Sequence, residues 1–320
     1  MSAKSLQVVR PFDPWRRGSL CTCPFKYTVN PYTGCGHRCL YCYASSYIRD
    51  FFNPRPKKRL LERAARDLSR IPPGSIVNIS SSSDPYTPPE EELGLTRRLL
   101  RLAAERHVVE VVTKSSLVAR DADILSAARS VVSITITTLD EGLARRLEPG
   151  APPPRARLGA MEKLSEAGVP VVLRLDPLLP WLTDSEENIV DVIEAAAAAG
   201  ALHVVSSVYK AKPDSLARLS RAFPDLAARY RELYLVEGER IHGYWYAPRG
   251  YRRRVFDVAA AAAHRLGLTF ATCREGEAGT IDPGVSCDGT HLAFRRGSSE
   301  TRITPSRASG KARSSHPPGE

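Results

Sequence analysis

Long apolar runs are missing from this 320-residue sequence, although 42% of its residues are hydrophobic. The alanine-rich stretches at residues 195–199 and 259–263 are short and flanked by charges, whereas a membrane-spanning helix needs about 20 apolar residues. The first residues also lack the apolar core of a signal peptide. We therefore expect a cytoplasmic protein without a membrane partner, and its length suits one large α/β domain with appendages.

Acidic residues are scarce relative to basic ones. The chain has 35 Asp and Glu against 46 Lys and Arg, which gives a formal net charge of +11 and an isoelectric point near 9.5. This excess favours a polyanionic partner such as a nucleic acid, because lysine and arginine gain affinity by releasing counterions from phosphates. A basic surface that only aids solubility is the alternative interpretation.

The seven cysteines do not suggest a disulfide framework, because three of them stand close together in a chain of ordinary size. Cys35, Cys39 and Cys42 have the spacing C-x3-C-x2-C, and thiolates are the soft ligands that zinc and iron–sulfur clusters prefer. Closed zinc sites and electron-transfer clusters take four ligands, so a local triad indicates a [4Fe–4S] cube with one iron left open. Zinc with His37 or a remote cysteine as fourth ligand, or ordinary buried thiols, are the alternatives.

Strand-like and helix-like segments alternate along the chain from residue 75 onward. This alternation predicts a parallel sheet with right-handed crossovers. Six strands are predicted, at residues 25–30, 76–80, 108–114, 131–138, 170–177 and 203–209. The predicted helices include residues 43–50, 57–70, 91–106 and 184–199, and a loop rich in aromatic residues and arginine is predicted at 237–250.

A period of two along two of these strands shows which residues face inward. In residues 132–137 isoleucine alternates with serine and threonine, and the polar face, which includes Thr135, should line a cavity. The same period places Arg174 and Asp176 on one face, where charges are costly unless they pair or meet a ligand. A mutual ion pair, and a contact from Arg174 to a cofactor carboxylate or substrate phosphate, both stay open.

The cysteine loop resembles the signature of the radical S-adenosylmethionine enzymes, in which an aromatic residue, here Tyr41, precedes the last cysteine. Over residues 27–209 the chain is similar to the spore photoproduct lyase-like branch, which is also called DNA-repair-photolyase-like. The similar stretches are NPYTGCGHRCLYCYASSY, SSSDPYTPPE, TKSSLVARD and DPLLPWLTD. The resemblance implies an incomplete (β/α)6 barrel of the TIM type, in agreement with the six predicted strands, with its chemistry at their C-terminal ends.

The resemblance also implies the cofactors and the reaction. Cys35, Cys39 and Cys42 would hold a [4Fe–4S] cluster whose open iron chelates the amino and carboxylate groups of S-adenosylmethionine. An electron from a donor such as a ferredoxin or flavodoxin would cleave the sulfonium to methionine and a 5′-deoxyadenosyl radical. That radical would then take a hydrogen atom from the substrate.

By the same resemblance, residues near the strand ends should contact the cofactor. Six residues are the candidates: Tyr41, Ser83, Asp84, Lys114, Thr135 and Arg174. Lys114 has a separate argument, because a lysine after an apolar strand is awkward in the core but suits a carboxylate at a cavity mouth. Simple strand capping or exposure to solvent is the alternative for each residue.

One position departs from the pattern of the branch. In its lyases, a cysteine in the stretch that aligns with residues 81–84 returns a hydrogen atom to the repaired thymine. Here that position is Ser81, and a serine O–H bond is too strong for this role. Direct repair of spore photoproduct is therefore not expected unless Cys273 or Cys287 substitutes, and the branch name does not transfer as an activity.

Four cysteines remain outside the triad, namely Cys21, Cys23, Cys273 and Cys287. If the two ends of the chain meet over the barrel, they could bind an auxiliary iron–sulfur cluster or structural zinc, with His291 able to replace one ligand. The one-residue spacing of the first pair is unusually tight, and the later two do not form a local pair. Buried thiols, or a catalytic thiol that donates hydrogen, are the alternatives.

We predict four regions: an N-terminal extension at 1–24, the core barrel at 25–235, a C-terminal extension packed on the barrel at 236–296, and a disordered basic tail at 297–320. The predicted function is that of a radical S-adenosylmethionine enzyme that acts on a nucleic acid, with a lyase-like reaction as one form of this chemistry. Radical modification of a protein or small metabolite is one alternative. A non-catalytic, metal-dependent nucleic-acid-binding protein is the alternative from a different class.

Overall fold

The computed structural model describes residues 6–12 and 20–294 of the chain. The predicted basic tail at 297–320 lies outside the described residues, as do residues 1–5 and 13–19 of the predicted N-terminal extension. The described residues form a mixed α/β structure around a mostly parallel sheet of eight strands.

The eight strands lie side by side in chain order, as expected where each strand is joined to the next by a helical crossover. All neighbouring pairs are parallel except the first, which is antiparallel. The strands are β1 (Arg10–Phe12), β2 (Lys26–Val29), β3 (Ile76–Ile79), β4 (Val108–Thr113), β5 (Ser130–Thr135), β6 (Val171–Leu178), β7 (Ala201–Val208) and β8 (Thr269–Thr272).

Helices cover the outer face of the sheet and share one large apolar core with it, to which Val109, Leu99 and Ile193 belong. The α-helices of the described residues are α1 (Leu60–Leu68), α2 (Glu90–Leu93), α3 (Leu95–Ala104), α4 (Ala122–Ala127), α5 (Glu141–Leu147), α6 (Pro154–Glu166), α7 (Glu186–Ala198), α8 (Pro213–Ala222), α9 (Ala227–Arg231) and α10 (Arg249–Arg265).

The inner face of the sheet is apolar at one end and polar at the other. Val108, Val172 and Val205, which face inward near the strand starts, pack against Leu292 and Ala293 in a second, smaller cluster. The segment after β8 therefore closes this end of the interior. Toward the strand ends, inward positions carry polar residues, which leaves a cavity where the chemistry of parallel α/β barrels is usually found.

The sheet stays open within residues 6–12 and 20–294, because β1 and β8 are its two edges and do not pair with each other. This arrangement confirms the predicted incomplete barrel. A small three-stranded sheet, formed by Lys210–Ala211, Glu239–Ile241 and Tyr244–Tyr246, lies beyond β7. It corrects the prediction for residues 237–250, because part of that segment forms an antiparallel hairpin.

Two predicted helices are also corrected. Residues 43–50 form only a short 3-10 turn at Ala44–Ser46, and no α-helix follows it. The Ser45 hydroxyl in this turn donates a hydrogen bond to Asp214 on α8. The single helix predicted at 91–106 is divided into α2 and α3 at Gly94, whose φ of 56° lies in the left-handed region. A tertiary contact in the first case and a backbone conformation in the second outweigh helical periodicity.

No helix within residues 6–12 and 20–294 combines the length and the apolar character that crossing a bilayer requires.

Candidate active site

A cavity of about 660 Å³ opens at the carboxyl ends of the strands. Its walls include inward residues of most sheet strands together with the loop that follows β2. All nine residues predicted as metal or cofactor ligands line it: Cys35, Cys39, Tyr41, Cys42, Ser83, Asp84, Lys114, Thr135 and Arg174. Sequence positions as far apart as 35 and 174 thus meet in one place.

The loop that carries the three cysteines is tied by backbone hydrogen bonds to two other segments of the chain. The N–H of Cys35 donates to the carbonyl of Phe51 at 2.7 Å, and the N–H of Leu40 donates to that of Leu147 at 2.8 Å. Gly34 permits the first contact, because its φ is 87° and a Cβ there would lie 2.4 Å from the Phe51 carbonyl oxygen. Backbone bonds of this kind hold the backbone of the cysteine loop in place beside the cavity.

The three thiols lie next to one another in an apolar setting. Cys35 and Cys39 are each only 8% exposed. Burial raises the pKa of Cys39 well above its ordinary value, although Lys114 opposes this, and burial raises the pKa of Cys42 to about 11. These thiols would give up their protons on binding a metal, whose charge replaces the missing solvation. Their grouping and softness fit an iron–sulfur cluster.

Asp84 joins the cysteine loop to the ends of two strands. Its carboxylate accepts hydrogen bonds from Thr113 Oγ1 at 2.7 Å and from the Lys114 N–H at 2.8 Å, and His37 Nδ1 lies 3.3 Å away. Burial lowers the pKa of His37, but Asp84 more than offsets this and raises that pKa to about 10. His37 is therefore paired with Asp84, and no sequence pattern predicted this contact.

The other predicted residue of this loop, Ser83, is held from both sides. Its Oγ donates to the carbonyl of Tyr32 at 3.1 Å and shares a hydrogen bond of 2.7 Å with the hydroxyl of Ser80. Neighbouring Ser81 lines the same cavity and accepts a hydrogen bond from Thr28 Oγ1 at 3.0 Å. The segment that follows β3 is therefore polar.

A buried charge cluster lies behind Tyr41. The Tyr41 hydroxyl donates to Glu148, which forms an ion pair with Arg157 at 2.5 Å. Above the ring, Lys114 Nζ lies 5.5 Å from the centroid of Tyr41. Burial lowers the pKa of Lys114, but Cys39 and Glu148 outweigh it, so the group stays protonated. Neither Glu148 nor Arg157 lies in a recognisable sequence motif, so neither was predicted as a site residue.

The opposite wall carries a second, partly buried ion pair. Arg174 Nη2 is 2.8 Å from the Asp176 carboxylate, which also accepts a hydrogen bond of 2.5 Å from Ser207 Oγ. The structural ion pair left open by the sequence is therefore present. Arg174 also donates to Sγ of Cys273 at 3.4 Å, and Thr135 on β5 lines the same cavity.

Aromatic and cationic side chains form a rim at one side of the cavity, which we call the aromatic rim: Tyr43, Tyr47, Lys212, Tyr244 and Arg274. The rings of Tyr43 and Tyr244 meet edge to face at 5.5 Å, and the Arg274 guanidinium lies 5.4 and 5.3 Å from their centroids. Lys212 Nζ is 4.1 Å from the centroid of Tyr244, and Tyr47 is 57% exposed.

Comparison with known proteins places this site in a family. Residues 29–208 match the model of the Radical SAM superfamily. An uncharacterized protein of Mycobacterium tuberculosis is 33% identical over 230 residues, which is 66% of this chain and 68% of that protein. An uncharacterized protein of Methanocaldococcus jannaschii is 32% identical over 165 residues, which is 50% of this chain and 63% of that protein.

Solved structures show the same fold. A spore photoproduct lyase variant with S-adenosylmethionine and dinucleoside spore photoproduct bound has a TM-score of 0.63 at 15% identity, covering 84% of this chain and 79% of that chain. The radical S-adenosylmethionine methyltransferase TsrM from Kitasatospora setae has a TM-score of 0.50 at 14% identity, covering 75% and 51%. At these identities the likeness is one of fold.

An incomplete barrel with three thiols at the end of its cavity defines a class of cofactor-dependent enzymes. The chain belongs to the radical SAM superfamily, over a region that contains the cysteine loop and all six predicted ligands at the strand ends. Membership implies a [4Fe–4S] cluster and S-adenosylmethionine as cofactors. The identity of the substrate lies beyond what membership implies.

Proposed function

We propose that this protein reductively cleaves S-adenosylmethionine at a cluster bound by Cys35, Cys39 and Cys42, and uses the radical to abstract hydrogen from a nucleic acid. The observation that carries the cleavage proposal is that all nine residues predicted from the sequence line one cavity. A cluster held by these three cysteines would transfer an electron to the cofactor and would offer it an open coordination position. A one-electron donor such as a ferredoxin or flavodoxin would supply that electron.

The cavity residues divide into those that would touch the cofactor and those that position others. Ser83 and Thr135 present hydroxyl groups, and Lys114 presents a protonated amine to the carboxylate end of the ligand. Arg174 retains guanidinium donors beyond its bond to Asp176 and could serve the same carboxylate. We assign Asp84 and Tyr41 positioning roles within the cofactor site, because their polar atoms are already engaged by the protein.

A nucleic acid is the proposed substrate class for two reasons. The chain carries a formal charge of +11, and the aromatic rim combines ring faces with cations beside the cavity, as proteins that stack single-stranded bases do. The fold is shared with a lyase whose structure contains a dinucleoside photoproduct. Because Ser81 stands where those lyases have a cysteine, we propose hydrogen abstraction from a nucleic acid without proposing the same repair reaction, and a lyase-type outcome is one form of it.

The cleavage half is tested by anaerobic reconstitution with iron and sulfide, reduction with dithionite, and detection of 5′-deoxyadenosine by mass spectrometry after S-adenosylmethionine is added. We expect product from the wild type and a loss of more than about 100-fold in Cys39→Ala. Ser81→Ala is the matched control, because this change in the cavity wall removes no cluster ligand, and its product should stay within about threefold of the wild type.

Three results would contradict the proposal or a part of it. Equal product from Cys39→Ala would show that the triad is not the cluster site. No product from wild type with an intact, reduced cluster that still binds oligonucleotides would favour a non-catalytic nucleic-acid-binding protein. If a peptide or metabolite extract stimulates cleavage and nucleic acid does not, the proposed cleavage reaction is retained. The proposed substrate class is then wrong.

A further inference from the structure

The four cysteines outside the triad lie together although they come from opposite ends of the chain. Sγ of Cys23 is 3.2 Å from Sγ of Cys287, across 264 positions of sequence. Cys21 forms a side-chain hydrogen bond with Cys23, and Cys273 is near enough to interact electrostatically with the other three. All four line the cavity that contains the cysteine triad.

Independent contacts explain why these segments meet. A Cβ added to Gly276, just after β8, would lie 2.9 Å from Leu20, so the segment before β2 reaches the far edge of the sheet. Next to Cys287, the Asp288 carboxylate accepts a hydrogen bond of 2.7 Å from Lys26 at the start of β2. The cysteines therefore span the gap between the two sheet edges that strand pairing leaves open.

Two cations lie beside the four sulfurs. On one side, Lys26 at the start of β2 is near enough to Cys23 to interact with it electrostatically. On the other side, Arg174 donates to Sγ of Cys273 at 3.4 Å. Metal binding requires deprotonated thiols, and nearby cations reduce the repulsion among them.

The sulfur spacing favours a metal over a disulfide. The 3.2 Å between Cys23 and Cys287 exceeds the roughly 2.05 Å of a disulfide bond, and every cysteine of the chain is a free thiol. Sulfurs bound tetrahedrally at about 2.3 Å from zinc would be about 3.8 Å apart, which small side-chain rotations could reach.

As the side chains stand, no three His, Cys, Asp or Glu residues of the described chain are close enough to hold one metal ion. This also applies to Cys35, Cys39 and Cys42, whose family binds a four-iron cluster, and a cluster spreads its ligands farther apart than one ion does. Both cysteine groups therefore need modest rearrangement on loading.

We propose that Cys21, Cys23, Cys273 and Cys287 bind a second metal centre, with four thiolate ligands, that joins the two edges of the open barrel beside the cavity. Zinc and an iron–sulfur cluster share the required soft-ligand chemistry. Each thiol releases its proton to solvent when it binds. The centre would fix the segment before β2 against β8 and close that side of the cavity. This inference is independent of the proposed cleavage reaction.

The test uses the full chain with Cys35→Ala, Cys39→Ala and Cys42→Ala combined, so that only the second group of thiols remains. Separate samples are reconstituted with zinc, or anaerobically with iron and sulfide, and metal and acid-labile sulfide are measured per chain. We expect about one zinc, or at least about two irons with matching sulfide, in this triple variant. Adding Cys287→Ser should lower the bound metal at least about tenfold, whereas Thr22→Ser, an exposed control between two of the cysteines, should leave it unchanged.

The two reconstituted samples identify the metal, because iron with acid-labile sulfide indicates a cluster and metal without sulfide indicates zinc. Less than about 0.1 metal per chain in both arms would overturn the proposal, as would metal that survives Cys287→Ser. A Cys23–Cys287 disulfide, found by alkylation and mass mapping without reductant, would also overturn it. If the triple variant does not fold, the wild type serves instead, and the proposal then requires zinc or iron beyond the four irons of the triad, lost in Cys21→Ser.

Discussion

At the residue scale, Asp84 is a predicted cofactor residue that is also held by several partners within the protein. The sequence pattern predicts a cofactor contact, but the carboxylate accepts hydrogen bonds from Thr113, Lys114 and Tyr86 and also pairs with His37. A buried group with this many partners holds its neighbours in place at least as much as it binds a ligand.

Asp84→Asn tests that role. The amide nitrogen would replace an acceptor with a donor that faces other donors, so we expect a loss of about 2–4 kcal/mol in the free energy of unfolding. Chemical unfolding of the metal-free protein measures this loss. Asp140→Asn is the control, because Asp140 caps α5 at the surface and asparagine caps equally well, so less than about 0.5 kcal/mol should be lost. Equal effects of the two changes would contradict the role of Asp84.

Glu110 provides a prediction of pH dependence. It lies inside the barrel, 2.6 Å from Lys26, and burial raises its pKa to about 7 despite that cation. Because its folded pKa is above its unfolded pKa, the stability that this group contributes is present below about pH 4.5 and is lost as pH rises through 7.

Glu110→Gln removes this titration while retaining an acceptor for Lys26. We expect the difference in unfolding free energy, wild type minus variant, to fall by about 2–3 kcal/mol between pH 5 and pH 8. Denaturant unfolding at pH 5, 6.5 and 8 measures it, and the variant serves as its own reference for all other titrating groups. A difference that rises with pH would show that the ionised form is the one the fold favours.

At the scale of elements, Gly94 shows how one residue divides a helix. Periodicity predicts one helix across residues 91–106, but Gly94 has φ 56° and ends α2 before α3 begins. A Cβ there would meet nothing within 4 Å, so any cost of adding one comes from the backbone alone. The division gives α3 a direction of its own along the sheet. The Glu90 carboxylate of α2 accepts a hydrogen bond of 2.7 Å from the N–H of Thr96 in α3.

Two glycine changes should therefore have opposite signs. Gly94→Ala should destabilise by about 1–2 kcal/mol, because an L-residue pays for the left-handed conformation. Gly159→Ala, inside α6 and also without neighbours within 4 Å, should stabilise by about 0.5–1 kcal/mol through helix propensity. Thermal unfolding of both variants measures these changes in stability. Stabilisation by Gly94→Ala would contradict the prediction and would mean that α2 and α3 can form one helix at no cost in free energy.

At the scale of the whole molecule, the net positive charge of the protein and its cavity should both contribute to nucleic-acid binding. If single-stranded nucleic acid enters past the aromatic rim, Lys212→Ala and Arg274→Ala should each weaken binding about 5–10-fold and reduce the salt dependence by about one counterion. Fluorescence anisotropy with a labelled oligonucleotide at several salt concentrations measures both effects. Arg70→Ala, which removes one exposed positive charge beyond α1, is the control. Equal weakening in all three variants would indicate that only net charge matters.

The sequence by itself determined the local features of this protein. The spacing of the three cysteines, the alternation of strands with helices and the period of two along β5 and β6 all depend on neighbours within about ten residues. They predicted the family and the incomplete barrel, which are confirmed, and a set of ligand residues that stay predictions although one cavity unites them.

Only the tertiary structure decided what depends on distant segments. It paired His37 with Asp84 and brought Cys23 to Cys287. Such contacts carry no local signal, because they join residues that are far apart in the sequence, and the second arises only when the two ends of the chain pack together. The Lys26–Asp288 bond that aligns those ends joins residues 262 positions apart, and its energy depends on burial that exists only in the folded protein.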